Sequence, residues 1–197
     1  VALYGLTHQC PAIMVTGSHI PADRNGIKFY KLAGEILKPD EQMIKRQVVQ
    51  QPENTFTLSG EFIITPTALL EIDLSAESDY LKRYRQLFPA QAFDGLKIGV
   101  YQHSGVARQM LVILLREMGA NVVELGYSEH FVPVDTEAIR AEDIELAKKW
   151  TKQYSFDAII STDGDADRPL ICDETGEWLR GDVAAVLCAK YFQIKYL

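Results

Sequence analysis

The chain has 197 residues, 47% of them hydrophobic and 24% charged, which is the composition of an ordinary folded protein and excludes a disordered or low-complexity segment. Its 20 Lys and Arg stand against 27 Asp and Glu, a net charge of −7, with no basic run to interrupt it, so nucleic acid and anionic membranes are excluded as partners on global electrostatics. The longest apolar stretches, 110–115 and 183–189, fall far short of the roughly 20 residues of a membrane span, and no basic segment leads into an apolar signal core, so a cytoplasmic protein is expected. A chain of this length is long enough for two small domains. Cys10, Cys172 and Cys188 are odd in number, far apart and without a CxxC pair, which argues against disulfides or zinc and predicts buried free thiols.

Taken in chain order, the β-branched run 12–16 is stopped by Gly17-Ser18-His19 and reads as a buried strand delivering a loop from its C-terminal end. Asn25-Gly26 supplies a turn into a short strand over 26–30. Met43, Ile44, Val48 and Val49 recur at helical spacing and predict a helix over 41–51 that Pro52 ends. Residues 55–64 are β-rich, 75–88 form an amphipathic helix with Tyr80, Leu81, Tyr84 and Phe88 on one face, and 89–95 read as a linker. A regular alternation follows, with strands over 96–101, 121–125, 158–162 and 169–172 and helices over 106–118, 135–153 and 181–191. Such alternation predicts an α/β fold of mixed, mainly parallel sheets flanked by helices.

Two loops carry the chemistry. The first runs from Thr16 through Gly17-Ser18-His19 to Asn25-Gly26-Ile27-Lys28. A serine at the C-terminal end of a strand stands where open α/β sheets bind ligands, but its hydroxyl needs a base or a strong electrostatic partner, and His19 and Lys28 are the local candidates. The same string also suits a polar turn in which Ser and His cap backbone groups. The second loop, Asp163-Gly164-Asp165-Ala166-Asp167-Arg168, sets three carboxylates at alternate positions directly after a buried strand. Unpaired, they would raise one another's pKa, and a hard divalent cation held by oxygen ligands, such as Mg²⁺, resolves the repulsion. An EF-hand is excluded because position six of the loop is Arg168 where Gly is required and a strand precedes it. An aspartyl-phosphatase loop of the haloacid dehalogenase type lacks its Gly-Thr pair after Asp165.

Together the two loops resemble the α-D-phosphohexomutase family, which includes phosphomannomutases and phosphoglucomutases. The first is similar to that family's TGSHNP…NG-x-K pattern and the second to its DGD-x-DR loop, with Asp163 lying 145 positions after Ser18. Asp173-Glu174-x-Gly176 followed by Gly181-Asp182 also resembles the family's text. The resemblance implies that Ser18 is carried as a phosphoserine that converts hexose 1-phosphate and 6-phosphate through a hexose 1,6-bisphosphate. It further implies that Asp163, Asp165 and Asp167, with a phosphoserine oxygen on Ser18, hold Mg²⁺. Lys28 and His19 become general acid/base groups, and Thr16, Asn25 and Arg168 phosphate or substrate contacts. Gly17 before Ser18 resembles the mannose and glucose mutases more than the phosphoglucosamine mutases. Ile20 stands where the family usually has Asn, and Arg24 where Tyr is frequent.

The resemblance assigns 1–92 to the latter part of a first domain, 93–177 to a second and 178–197 to the start of a third, so a chain that begins at Val1 is expected to be incomplete. The Glu-x-Ser-Gly and Arg-x-Ser-Gly-Thr strings of the family's third and fourth domains do not occur in it. A Mg²⁺-dependent phosphatase and a non-catalytic sugar-phosphate-binding module remain the alternatives. Which hexose is used and the oligomeric state are not encoded in the motifs.

Overall fold

The computed structural model describes residues 1–18, 20–21, 23–50, 54–63 and 71–194. The chain divides into two compact units, one of Val1–Ile13 with Phe29–Ser78 and one of Met14–Lys28 with Asp79–Leu197. Strands β1 (Ala12–Thr16), β2 (Gly26–Lys31) and the two-residue β3 (Gly34–Glu35) form a sheet of that order, with β2 and β3 antiparallel. Ahead of them lies α1 (Ala2–His8), a helix the sequence pattern did not announce because it has seven residues, an internal Gly5 and no side-chain cap. Gln9 ends it in the left-handed conformation.

The helix expected over 41–51 is earlier and shorter, as α2 (Lys38–Lys45). Pro39 sits in its first turn, where a missing N–H costs nothing, and Asp40 accepts a hydrogen bond from the Leu37 backbone N–H. Its apolar residues form no buried face: Met43 and Ile44 are exposed, and Val48 and Val49, beyond the helix, are 90% and 80% exposed. Pro52 lies outside the described residues. Of the β-rich stretch over 55–64, Phe56 and Phe62 form an isolated antiparallel bridge, and Ile64 is outside the described residues.

Helix α3 (Ser75–Leu87) runs into the larger unit from Asp79, and its Leu81 is buried beside half-buried Tyr80 and Tyr84 as the amphipathic pattern required. Beyond it a four-stranded sheet is ordered β5-β4-β6-β7, from β4 (Lys97–Tyr101), β5 (Asn121–Leu125), β6 (Ala158–Thr162) and β7 (Pro169–Cys172). β4 is parallel to both β5 and β6, and β7 is antiparallel to β6. The parallel pairs require crossovers, which α4 (Arg108–Glu117) and α5 (Ala141–Tyr154) provide, and α6 (Gly181–Tyr191) follows β7. Ile98 and Val100 pack on one face with Val112, Leu115 and Val122, and Tyr101 packs with Leu125, Ala147, Phe156 and Ile159 in a second cluster. Gly99 has no room for a side chain, since a Cβ there would lie 2.7 Å from Leu125 Cδ1. Expected from 135, α5 begins only at Ala141, because the Asp135 side chain accepts hydrogen bonds from the N–H groups of Glu137 and Ala138 and holds a turn there.

The chain runs from β4 outward to β5 and then back to the other side of β4 as β6. The C-terminal ends of β4 and β6 therefore flank a switch point of the sheet, the position at which open α/β folds leave a crevice. The acidic loop leaves from β6 at that end.

The thiols are not uniformly buried. Cys172 is fully buried, Cys10 partly so, and Cys188 on α6 is exposed. Burial, with the Asp173 charge adding to it, pushes the Cys172 thiol up to about 12. Iodoacetamide at pH 8 is therefore expected to alkylate Cys188 in the native chain and to leave Cys172 untouched until denaturant is added; peptide mass spectrometry showing equal labelling rates would contradict this packing.

Candidate active site

β1 ends at Thr16, and the next turn presents Ser18 with φ +47°, a left-handed conformation unusual for a residue with a side chain. The Ser18 N–H donates to Thr16 Oγ1 at 2.9 Å, and the turn closes through Ile20 N–H to the Gly17 carbonyl at 2.8 Å. Ile20 thus holds its place through its backbone, which any residue supplies. The chain returns on β2 through Gly26, where a Cβ would come within 3.0 Å of the Thr16 carbonyl. Thr16 is engaged in shaping the turn and Asn25 is exposed. His19 lies outside the described residues.

Ser18 reaches the acidic loop directly. Its Oγ donates to Asp163 Oδ2 at 2.7 Å, while the Arg168 N–H donates to Asp163 Oδ1 at 3.2 Å. Asp163 is wholly buried. Lys28, the third residue of β2, donates from Nζ to Asp165 Oδ2 at 2.8 Å and to Asp167 Oδ2 at 2.5 Å. Five of the residues picked from the sequence, Ser18, Lys28, Asp163, Asp165 and Asp167, are thereby assembled within the larger unit. Arg168 donates from its guanidinium to Glu137 at 3.1 Å and lies at the edge of the cluster, its Nε 3.9 Å from Asp167 Oδ1.

The electrostatics follow from this geometry. Burial pushes Asp163 above the usual carboxylate range, and the hydrogen bonds from Ser18 and Arg168 only partly offset it. Burial is the largest influence on Asp165 too, but the hydrogen bond and charge of Lys28, with the hydrogen-bonding influence of Asp163 and Thr16, together outweigh it and hold this carboxyl below its ordinary value. Asp165 and Asp167 together keep Lys28 firmly protonated. One ligand atom from each of Asp163, Asp165 and Asp167 lies within 4.8 Å of the others, and Asp165 Oδ1 is buried with no hydrogen-bond partner. Three converging carboxylates with a spare buried oxygen fit a hard cation with oxygen ligands.

The family profile described as phosphoglucomutase/phosphomannomutase, alpha/beta/alpha domain II, matches residues 78–176, and that for domain I matches residues 1–55. The chain belongs to the phosphoglucomutase/phosphomannomutase family. A phosphomannomutase of Sinorhizobium fredii is 48% identical over 200 residues, covering 100% of this chain and 41% of the relative. A phosphomannomutase of Salmonella muenchen is 44% identical over 189 residues, 96% of this chain and 37% of the relative. The chain thus spans about two fifths of the length of these curated relatives. In fold it is similar to the crystal structure of a phosphoglucomutase/phosphomannomutase family protein from Burkholderia thailandensis, with a TM-score of 0.69, 22% identity and coverage of 92% of this chain and 37% of that one. Among the described residues no helix is long and apolar enough to cross a membrane.

Two further residues of this phosphoglucomutase/phosphomannomutase chain support the site: His103, which was not singled out in the sequence, and the loop glycine Gly164. His103, just after β4, is 1% exposed with φ +32°, and its Nε2 lies 3.0 Å from the Thr162 carbonyl, to which it donates as the neutral tautomer. Burial lowers its pKa, which favours that neutral form. Its signal was positional: a polar residue at the end of a strand beside the switch point. Gly164 is the second. A Cβ built there would lie 2.5 Å from the Ser18 carbonyl oxygen, and the Gly164 carbonyl accepts from the Val106 N–H. Gly164→Ala must push the serine loop off the acidic loop, and overpacking of this kind costs about 1–3 kcal/mol. Denaturant unfolding followed by tryptophan fluorescence should show that loss, and a midpoint equal to wild type would mean that the two loops do not touch.

Proposed function

We propose that the chain is part of a cytoplasmic phosphohexomutase that interconverts hexose 1-phosphates and 6-phosphates, of mannose, glucose or both, with Ser18 as the phosphoryl carrier. The observation that carries this reading is the 2.7 Å hydrogen bond from Ser18 Oγ to Asp163 Oδ2, which sets a serine hydroxyl directly on a cluster of three carboxylates. Phosphoryl transfer needs positioning and neutralisation of charge more than covalent chemistry, and both requirements are met by residues that converge there.

In this reading the phosphoryl group of phosphoserine 18 passes to a free hydroxyl of the bound hexose phosphate, giving the 1,6-bisphosphate and leaving Ser18 as the alcohol. The bisphosphate reorients, and its other phosphoryl group returns to Ser18 Oγ, releasing the isomeric monophosphate. Asp163, Asp165 and Asp167, with the phosphorylated Ser18, would hold Mg²⁺, which would supply neutralisation of charge on the phosphoryl oxygens. Lys28 is the proton-transfer group or phosphate contact available from β2. His19, Thr16, Asn25 and Arg168 are assigned to the phosphosugar on the motif pattern alone. Both oxygens of Asp163 already accept hydrogen bonds, which favours Ser18 over Asp163 as the nucleophile and the mutase over an aspartyl phosphatase.

Incubation with glucose 1,6-bisphosphate followed by peptide mass spectrometry is expected to place phosphate on Ser18, and Ser18→Ala should abolish it. Phosphate on Asp163 would replace the reading with a phosphatase, and no phosphate on either would leave a binding module. Because the sugar-recognition and phosphate-clamp strings of the family do not occur in these 197 residues, a coupled mutase assay on the chain alone should show little turnover; normal turnover would refute the assignment of those steps to other domains.

A further inference from the structure

We propose that Lys28 is the resident counter-ion of the acidic loop, and that a divalent cation loads there only by displacing the Lys28 ammonium group, which is thereby freed for the phosphosugar. This rests on the metal reading given above and deepens the part played by Lys28. Nζ contacts Asp165 Oδ2 at 2.8 Å and Asp167 Oδ2 at 2.5 Å, so it holds two of the three carboxylates that a cation would take. A hard divalent ion binds such oxygens at about 2.1 Å and with a strict geometry. An ammonium group on the same oxygens occupies the space that ion needs and repels it, so the two cations exclude one another.

The match between Lys28 and the carboxylates is incomplete. Asp165 Oδ1 stays buried without a hydrogen-bond partner, and the Asp165 side chain is only 3% exposed, so the loop presents an acceptor that the lysine leaves unused. A buried unsatisfied carboxylate oxygen is costly, and a cation with several coordination positions relieves it where a single ammonium does not. The exchange needs no movement of the backbone. Lys28 is anchored on β2, its side chain is 30% exposed, and its four-carbon stem can swing toward solvent while Cα stays in place. Asp163 keeps its separate partners, Ser18 Oγ and the Arg168 N–H, so the loop remains closed during the exchange. Lys28 thereby offsets the charge of Asp165 and Asp167, and becomes available to a phosphate only when the loop is loaded.

The test is metal binding and lysine accessibility on the whole chain, with Mn²⁺ as the probe. Lys28→Met is expected to bind Mn²⁺ about fivefold more tightly than wild type, the competition of one partly exposed ion pair, in a titration followed by electron paramagnetic resonance. Acetylation of wild-type Lys28 by an amine-reactive ester, read by mass spectrometry and independent of any variant's folding, should rise when Mn²⁺ is added. Equal or weaker Mn²⁺ affinity in Lys28→Met, or unchanged labelling of Lys28 while Mn²⁺ binds, overturns the proposal and leaves the metal reading intact. Absence of Mn²⁺ binding to both forms overturns the two together.

Discussion

The structure turns on three carboxylates held in one six-residue loop. At an effective dielectric near 20, two like charges about 4 Å apart repel by about 4 kcal/mol, so Asp163, Asp165 and Asp167 are tolerable together only where something opposes that repulsion. In this chain each carboxylate finds its own compensation: the Ser18 hydroxyl and Arg168 N–H for Asp163, and the Lys28 ammonium for Asp165 and Asp167. Ser18 and Lys28 come from the segment that runs from the end of β1 into β2, so the acidic loop and the serine loop are each other's condition. Gly164 makes the approach sterically possible by offering no Cβ to the Ser18 carbonyl.

The sheet decides where that meeting takes place. β4 is buried on both faces, and β5 and β6 lie on either side of it, so the chain after β6 emerges at the switch point. His103, at the neighbouring end of β4, fixes the carbonyl of Thr162 immediately before the acidic loop begins. Behind it, the Tyr101 hydroxyl donates to Asp143, which Arg140 grips with two hydrogen bonds. This buried polar network is connected by hydrogen bonds from α5 to the end of β4, and such networks define one arrangement of a core rather than many. The site is therefore built on regular elements on both of its sides, which suits a reaction whose rate depends on alignment.

Where local pattern and packing agreed, sequence and structure coincide closely. The strands 121–125, 158–162 and 169–172 and the helix 181–191 stand where the sequence pattern put them: the strands are members of one four-stranded sheet, and the helix buries Ala184 and Ala189. They diverge where local chemistry outweighs periodicity: Asp135 ties its own backbone into a turn and delays α5, and Pro39 in the first turn, with Asp40 accepting from the Leu37 N–H, lets α2 begin at Lys38 rather than 41. Val48 and Val49 show the converse, apolar residues at helical spacing with no surface to bury them among the described residues. Cys188 is exposed for a related reason, since α6 buries Ala184 and Ala189 and turns the thiol outward.

The candidate residues were legible in the sequence because their placing is a local property: a serine at the end of a β-branched run, and carboxylates at alternate positions in a loop too short to separate them. Ser18, Lys28 and the three aspartates were picked out by their place in these two loops and by the loops' resemblance to a known family. Their pairing did need it. That Ser18 meets Asp163 across 145 positions, that Lys28 lies on Asp165 and Asp167, and that Arg168 turns to Glu137 are consequences of long-range contacts between β2, β6 and the loops that follow them. A linear pattern states which charges are present, whereas the distances at which they act are set only when the sheet has closed.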